Sequence, residues 1–361
     1  MQDNIREIPY NYTSYSDREI VLRFLGEECW DDLNVLRHQR RTGRSARMLF
    51  EILGDLWVVS RNPFLRNDLL HHRKRLTTMR ARHRDRLERI LSSAADNPRA
   101  QRVTSRTERM VDQFYAWFEA EPRRRREAKK AFSRHTHANN VHFDAYTLVH
   151  HATDATDWRS FLPFCVLTPD RPEEIPGLVA AARSLGLTII PRGGGTGLCG
   201  GSVPLQDGAV MINIEKFDRI GEVEMHDLGD GRVVPVITAQ AGAVTGKVME
   251  KAMPHIFATD PTSLWACTIG GNVASNAGGK HAVLWGTCVD NLLSWRMVMP
   301  DGNWLLVERV NHNMGIMPAD AMVEFRLSRF ASDGSDLGEP EILAIDGATF
   351  RRAGLGKDVT R

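Results

Sequence analysis

The stretch "PRGGGTGLCGG", Pro191 to Gly201, holds six glycines in eleven residues and no acidic side chain. Removing side chains lets a backbone come close to a ligand, and a run of oriented N–H groups suits a phosphate. The stretch contains a literal G-x-G-x-x-G at Gly195, Gly197 and Gly200, follows the strand-like "LTIIP", and has Glu215 lying 20 residues beyond Gly195. Those are features of a Rossmann dinucleotide site. The context tells against one. A Rossmann loop opens a helix, whereas "GSVPLQDGAVMINI" runs through Pro204 and Gly208 into another strand. A glycine-rich turn that binds nothing is the plain alternative.

A second stretch of the same kind, "DPTSLWACTIGGNVASNAGGKH", runs from Asp260 to His281. It holds Gly270, Gly271, Gly278 and Gly279 among Ala, Ser, Asn and Thr, with no charged side chain between Asp260 and Lys280. Such a surface meets a diphosphate with many small dipoles instead of one cation. Two such loops, separated by strand, strand and helix, point to a long ligand gripped at several places.

Around these loops the sequence alternates. "FCVLTP" reads as a short strand. "RPEEIPGLVAAARSLG" reads as a helix burying Ile175, Leu178, Val179, Ala182 and Leu185, with Gly186 placed to cap it. "GAVMINI" and "GRVVPVITAQAG" read as strands, Pro235 marking an edge or bulge in the latter. "VTGKVMEKAM" reads as a helix, and "LLSWRMVMPDGNWLLVE" as two β-rich runs joined by a Pro300-Asp301-Gly302 turn.

Upstream the texture differs. Residues 1–136 hold about 29 Lys and Arg against about 19 Asp and Glu, so the net +2 of the 361 residues hides a basic first part and an acidic remainder. Ser16 with Glu19 forms a capping-box spacing, and Gly26 is placed to stop that helix. "LWVVS" is expected as a short strand, residues 67–93 as helix, and "TERMVDQFYAWFEAE" as an amphipathic helix ended by Pro122. The run Arg123–Arg126 with Lys129 and Lys130 suits a solvated helix face, or phosphates of nucleic acid or an anionic membrane. Five cysteines (Cys29, Cys165, Cys199, Cys267, Cys288) without a C-x-x-C pair argue against a disulfide framework. His135, His137, His142, His150 and His151 lack metal-ligand spacing and are read as capping or solvated histidines, so no metal is expected. The polar first residues and the absence of a long apolar run make a cytoplasmic protein the expectation.

The two glycine loops, "VLTPDRPEEIPGLVAAARSLGLTII" before them and "WGTCVDNLLSWRMVMPDG" after them, resemble the FAD-binding domain of the vanillyl-alcohol oxidase and p-cresol methylhydroxylase (PCMH) type. Within it they look most like the D-lactate, glycolate and D-2-hydroxyglutarate dehydrogenase branch. The resemblance runs from about Trp158 onward, with a less familiar insertion at about 321–345, and implies an α+β fold of two α/β subdomains behind a mainly helical N-terminal module. The expected division is 1–137 for the basic module, 138–157 for a linker and 158–361 for the FAD-binding domain.

The resemblance also implies roles. Pro191, Arg192, Gly193, Gly194, Gly195, Thr196, Gly197 and Leu198 would wrap the FAD diphosphate with backbone amides. Pro261, Thr262 and Ser263 would lie along the ribityl–diphosphate stretch or the flavin ring. Thr268, Gly270, Gly271, Ala274, Asn276 and Gly279 would line the other side. A Cβ at Gly194 or Gly270 is expected to occupy space that a phosphate oxygen needs, or to meet a positive φ. Relatives that tether flavin often use a His in the first loop; Gly-Gly-Gly-Thr-Gly has none, so noncovalent FAD is expected, with Cys267 a buried thiol.

The implied activity is oxidation of a small D-2-hydroxy acid, with hydride passing from Cα to flavin N5 and electrons leaving to an iron–sulfur domain, cytochrome or quinone. The family's last flavin-contacting turn and its substrate cap are not recognised before Arg361, so the chain is expected to be a C-terminally incomplete part of a larger oxidoreductase. Catalytic residues are not assigned, and little turnover is expected of the chain alone. The rival reading is a noncatalytic, truncated FAD fold whose basic module binds nucleic acid or a membrane surface. In the enzyme reading a nucleic-acid partner is not expected, while peripheral association with the inner face of a membrane is compatible with the basic run.

Overall fold

The computed structural model describes residues 15–93, 96–156, 161–229, 231–310 and 321–349. The chain divides into two compact units, one of Met1–Ala128 with Phe143–His150 and one of Lys129–His142 with His151–Arg361.

The first unit is helical. It contains α1 (Asp17–Leu25), α2 (Glu27–His38), α3 (Gly43–Arg61), α4 (Pro63–His71), α5 (Arg73–Ser93), most of α6 (Pro98–Phe132) and α7 (Ala145–His150). The Ser16–Glu19 capping box opens α1, and Gly26, at φ 84°, ends it. Leu33 and Leu36 of α2, Leu49, Ile52, Leu53 and Leu56 of α3, Ile90 of α5 and Val103 of α6 form one buried cluster. Tyr15 and Phe24 stand edge-on to Trp57 at 4.6 and 5.6 Å.

Two local expectations fail here. "LWVVS" is the last part of α3, not a strand. Its β-branched residues fit either state, and the decisive factor is that Leu53, Leu56 and Trp57 complete an apolar helical stripe that starts at Leu49. Pro122 does not end α6, which runs on to Phe132. The missing N–H costs about 3 kcal/mol. Against it stand ten further residues with no glycine, burial of Ala128 and Phe132, and a 2.8 Å pair from Arg125 to Glu121.

The second unit contains three sheets among the described residues. Strands β1 (Val141–His142), β2 (Cys165–Leu167), β3 (Thr188–Arg192) and β4 (Ala209–Asn213) order as β1-β2-β4-β3. There β4 runs parallel to both β2 and β3, and β1 closes one edge antiparallel. Every residue of β2 and β4 is buried, which explains their unbroken apolar texture. Helix α8 (Ile175–Ser184) links β2 to β3, and Gly186, at φ 66°, follows it.

The ribbon of β5 (Ile220–Asp227) and β6 (Val233–Ala239) seats Pro235 in a strand with one partner among the described residues, as its missing N–H allows. Helices α9 (Thr245–Ala252), α10 (Ile269–Ala274) and α11 (Ala282–Trp285) precede a meander of β7 (Ser294–Val298), β8 (Trp304–Arg309), β9 (Met322–Phe330) and β10 (Glu341–Asp346). The less familiar segment at 321–345 therefore supplies two further strands to the sheet that "SWRMV" begins. Of the stretch expected to be a linker, residues 140–150 include β1 and α7.

Candidate functional site: two glycine loops in contact

The first loop leaves the C-terminal end of β3, a strand held on β4 through Arg192 opposite Asn213. A strand, β4, and not a helix follows the loop, which removes the Rossmann reading. Gly195 and Gly200 adopt φ of 63° and 73°, so the chain turns there in a region L side chains rarely enter. Among the described residues, none of the backbone N–H groups from Gly193 to Leu198 donates a hydrogen bond to the protein. Gly194, Gly197 and Leu198 are exposed, so these donors are open to a ligand from solvent. An anion bound in the bend would satisfy several at once.

The second loop passes directly beside the first. A methyl group added at Gly193 would overlap Thr268 Oγ1, and one at Gly194 would overlap the carbonyl oxygen of Ala266. Several contacts hold the second loop in shape. Gly270 N donates to Ala241 O at 2.7 Å, and Ile269 N to Ala243 O at 3.0 Å. Beneath it, Asn272 Nδ2 donates to Thr245 Oγ1 at 2.7 Å, and that hydroxyl donates to Cys267 O at 3.1 Å. Asp260 Oδ1 accepts from His281 N at 2.9 Å, and Gly279 packs so tightly on Asp260 that no side chain fits.

The glycines fall into two groups. At Gly194 and Gly270 the obstacle to a side chain is the protein itself: the Ala266 carbonyl at the first, and Ala241 Cβ at 2.8 Å at the second. Neither has a positive φ. The expected reason, space for a phosphate oxygen, is thus replaced at these two positions by loop-on-loop packing. Gly197 and Gly271 differ. A Cβ would meet nothing closer than Asp154 Oδ2 at 3.8 Å and Thr268 Oγ1 at 3.4 Å, ordinary contacts, and φ is not positive at either. The protein alone does not require glycine at these two positions.

Both loops lie in a stretch that matches a known family. Residues 163–308 match the family described as "FAD binding domain", and residues 3–116 match the one described as "Protein of unknown function (DUF3683)". The glycolate oxidase subunit GlcD of Escherichia coli K12 is 35% identical over 146 residues, 40% of this chain and 28% of that protein. A D-lactate dehydrogenase of Archaeoglobus fulgidus is 33% identical over 140 residues, 38% of this chain and 30% of the relative. Residues 163–308 are an FAD-binding domain. Its likeness to these relatives supports the resemblance to PCMH-type domains of the D-2-hydroxy acid dehydrogenase branch. A solved alkyldihydroxyacetonephosphate synthase aligns over 52% of this chain and 35% of its own, with 21% identity and a TM-score of 0.43. The chain spans less than a third of the length of the curated relatives just named.

Within the FAD-binding domain, several sequence-derived site residues have side chains already engaged. Thr268 Oγ1 accepts from Gly271 N at 3.4 Å and caps α10. Asn276, at φ 46°, accepts from Val289 N through Oδ1 at 3.0 Å. The Ser263 carbonyl accepts from Ala266 N and Cys267 N, and Pro261 O accepts from Leu264 N, so the Pro261–Thr262–Ser263 turn is fixed by its own backbone. Cys267 is buried with Sγ 3.2 Å from Thr245 Oγ1. Burial also pushes the Cys288 thiol up to about 11. Leu198 is 67% exposed.

The histidines have structural partners: His137 Nδ1 accepts from Asn139 N, His142 Nε2 lies 2.9 Å from Thr168 Oγ1, and His150 stacks on Tyr146. In the arginine run, Arg123 pairs with Glu127, Arg124 and Arg125 pair with Glu121, and Arg125 also bonds Asn67 Oδ1. Sequence reasoning missed Asp154 and Ser202, which meet under the first loop; no local pattern marks them, because 48 residues separate them.

Proposed function

We propose that this chain is the flavin-holding part of an oxidoreductase that oxidises a small D-2-hydroxy acid. The observation that carries the reading is the row of N–H groups from Gly193 to Leu198, which find no protein acceptor among the described residues, pressed against the second glycine loop. Those donors would take the diphosphate oxygens of noncovalently bound FAD. Gly197 and Gly271 would let the cofactor come within backbone distance on both sides. Bound there, FAD supplies the two-electron acceptor to which the hydride on the substrate's Cα passes. The protein's share is grip and orientation, which set the distance between that acceptor and the substrate. The substrate class comes from the glycolate oxidase subunit and D-lactate dehydrogenase similarities. A separate iron–sulfur domain, cytochrome or quinone would receive the electrons, and the cytoplasm, with peripheral contact to the membrane, is the location that fits such a route.

Gel filtration tests the first half. The protein should elute yellow, with a flavin absorbance spectrum, or take up added FAD stoichiometrically; a folded, colourless protein that takes up none refutes it. In the complete enzyme, anaerobic D-lactate, glycolate or D-2-hydroxyglutarate should bleach the flavin band. A flavin that stays oxidised with all three refutes the substrate class.

A further inference from the structure

Residues 151–156 lie ahead of the stretch that matches the FAD-binding family, yet their bonds go to its first glycine loop. His151 is 5% exposed and its Nε2 accepts from Asn213 Nδ2 at 2.8 Å, on the residue that pairs with Arg192 across β3 and β4. Two residues on, Thr153 O accepts from Arg192 Nη2 at 2.8 Å. Asp154 follows, with Oδ2 accepting from Ser202 Oγ at 3.0 Å and Oδ1 from Thr156 N at 2.8 Å.

Arg192 joins the two ends of the loop. Its guanidinium is buried and its Nη1 donates to Ser202 O at 3.0 Å, so one planar fork holds residue 153 on one side and residue 202 on the other. A side chain at Gly195 would overlap this guanidinium, which therefore lies directly against the turn of the loop. Burial lowers the Arg192 pKa, opposed by the nearby Asp154 and Glu215 carboxylates. The bend from Gly193 to Leu198 makes no backbone bond of its own among the described residues. Its shape is thus imposed from below, by Arg192 and by the strap to which Arg192 and Ser202 are tied.

We propose that residues 151–156 form a strap integral to the cofactor site, and that Asp154, Ser202 and Arg192 are positioning residues that hold the six loop donors in the arrangement a diphosphate needs. The inference rests on the flavin reading above. None of the three side chains needs to touch the cofactor. Each acts by fixing the backbone that does, because donors set before binding cost the ligand no ordering entropy.

The test is FAD affinity of the full chain, measured by quenching of flavin fluorescence, in Ser202→Ala, Ser202→Thr, Asp154→Asn and Arg192→Lys. Losing a bond to a half-buried carboxylate should weaken FAD about tenfold in Ser202→Ala and Asp154→Asn. Arg192→Lys keeps the charge but loses the fork, and should be weakened at least as much. Ser202→Thr retains the hydroxyl and should recover most of the affinity, a rescue that a general loosening of the fold would not show. Gln206→Ala, which removes an exposed bond to Thr188, should bind FAD as the wild type does. Wild-type protein that binds no FAD overturns the flavin reading and this inference together. Wild-type protein that binds FAD while Ser202→Ala and Asp154→Asn bind it equally well overturns the strap alone.

Discussion

Substituting alanine at Gly194 and at Gly197 separates the two reasons for a glycine in this loop. At Gly194 the new methyl would overlap the Ala266 carbonyl oxygen and stand 3.0 Å from the carbonyl carbon. Non-bonded atoms pack at about 3.5–4.0 Å and the oxygen is the tighter contact, so the two loops must part by at least about 1 Å. Both contacting atoms belong to backbone held by its own bonds, and overpacking of this kind costs about 1–3 kcal/mol. The cost falls on the protein without cofactor and should appear as a lower urea midpoint for the second unit. FAD affinity should fall as well, because the donors no longer face the second loop. At Gly197 the methyl meets only Asp154 Oδ2 at 3.8 Å, so Gly197→Ala should unfold at the wild-type urea midpoint when FAD is absent. On the proposed reading that methyl would stand where the diphosphate comes closest, and FAD affinity should drop about tenfold or more, in line with the loss of one charge-assisted bond. The paired assay is therefore a urea titration of each apoprotein beside an FAD titration. The reasoning is refuted if Gly194→Ala apoprotein is as stable as wild type, or if Gly197→Ala binds FAD with unchanged affinity.

Other outcomes follow from single sites. Cys199 is exposed while Cys29, Cys165, Cys267 and Cys288 are buried, so a disulfide reagent at pH 8 should modify one thiol quickly in the native protein, and none quickly in Cys199→Ser. Hydrogen bonds from Lys216 and Asn140 hold the Asp170 carboxyl below the usual carboxylate range. A depressed folded pKa gives stability that is present above the unfolded value and lost as pH falls through the folded one. The wild type should accordingly lose stability below about pH 4, and Asp170→Asn should lose less over that interval in acid melts. Pro122→Ala restores a donor inside α6 and should stabilise the first unit by up to about 3 kcal/mol, seen as a higher urea midpoint; a lower midpoint would show that the proline's shape is required there.

Much of the second unit was legible as sequence. Its strands are short apolar runs between turn residues, α8 repeats at helical spacing and stops at Gly186, and the two glycine loops stand out by composition. Such signals depend on neighbours along the chain, so they survive without a fold. The same locality misled at "LWVVS" and Pro122, where a helical stripe and the burial of Phe132 outweighed local preference.

Sequence by itself determined that two side-chain-poor bends flank a strand–strand–helix unit, and that a strand after the first bend excludes a Rossmann loop. Only the tertiary structure decided which glycines serve packing and which face open space, because that depends on Ala266, Ala241 and Thr268 arriving from elsewhere in the chain. It also decided that Arg192 turns to Thr153 and Ser202, and that Asp154 meets a serine 48 residues away. Hydrogen bonds between distant segments leave no periodic trace in a sequence. They exist only once the sheet has brought β3 and β4 together and carried the loop over the strap.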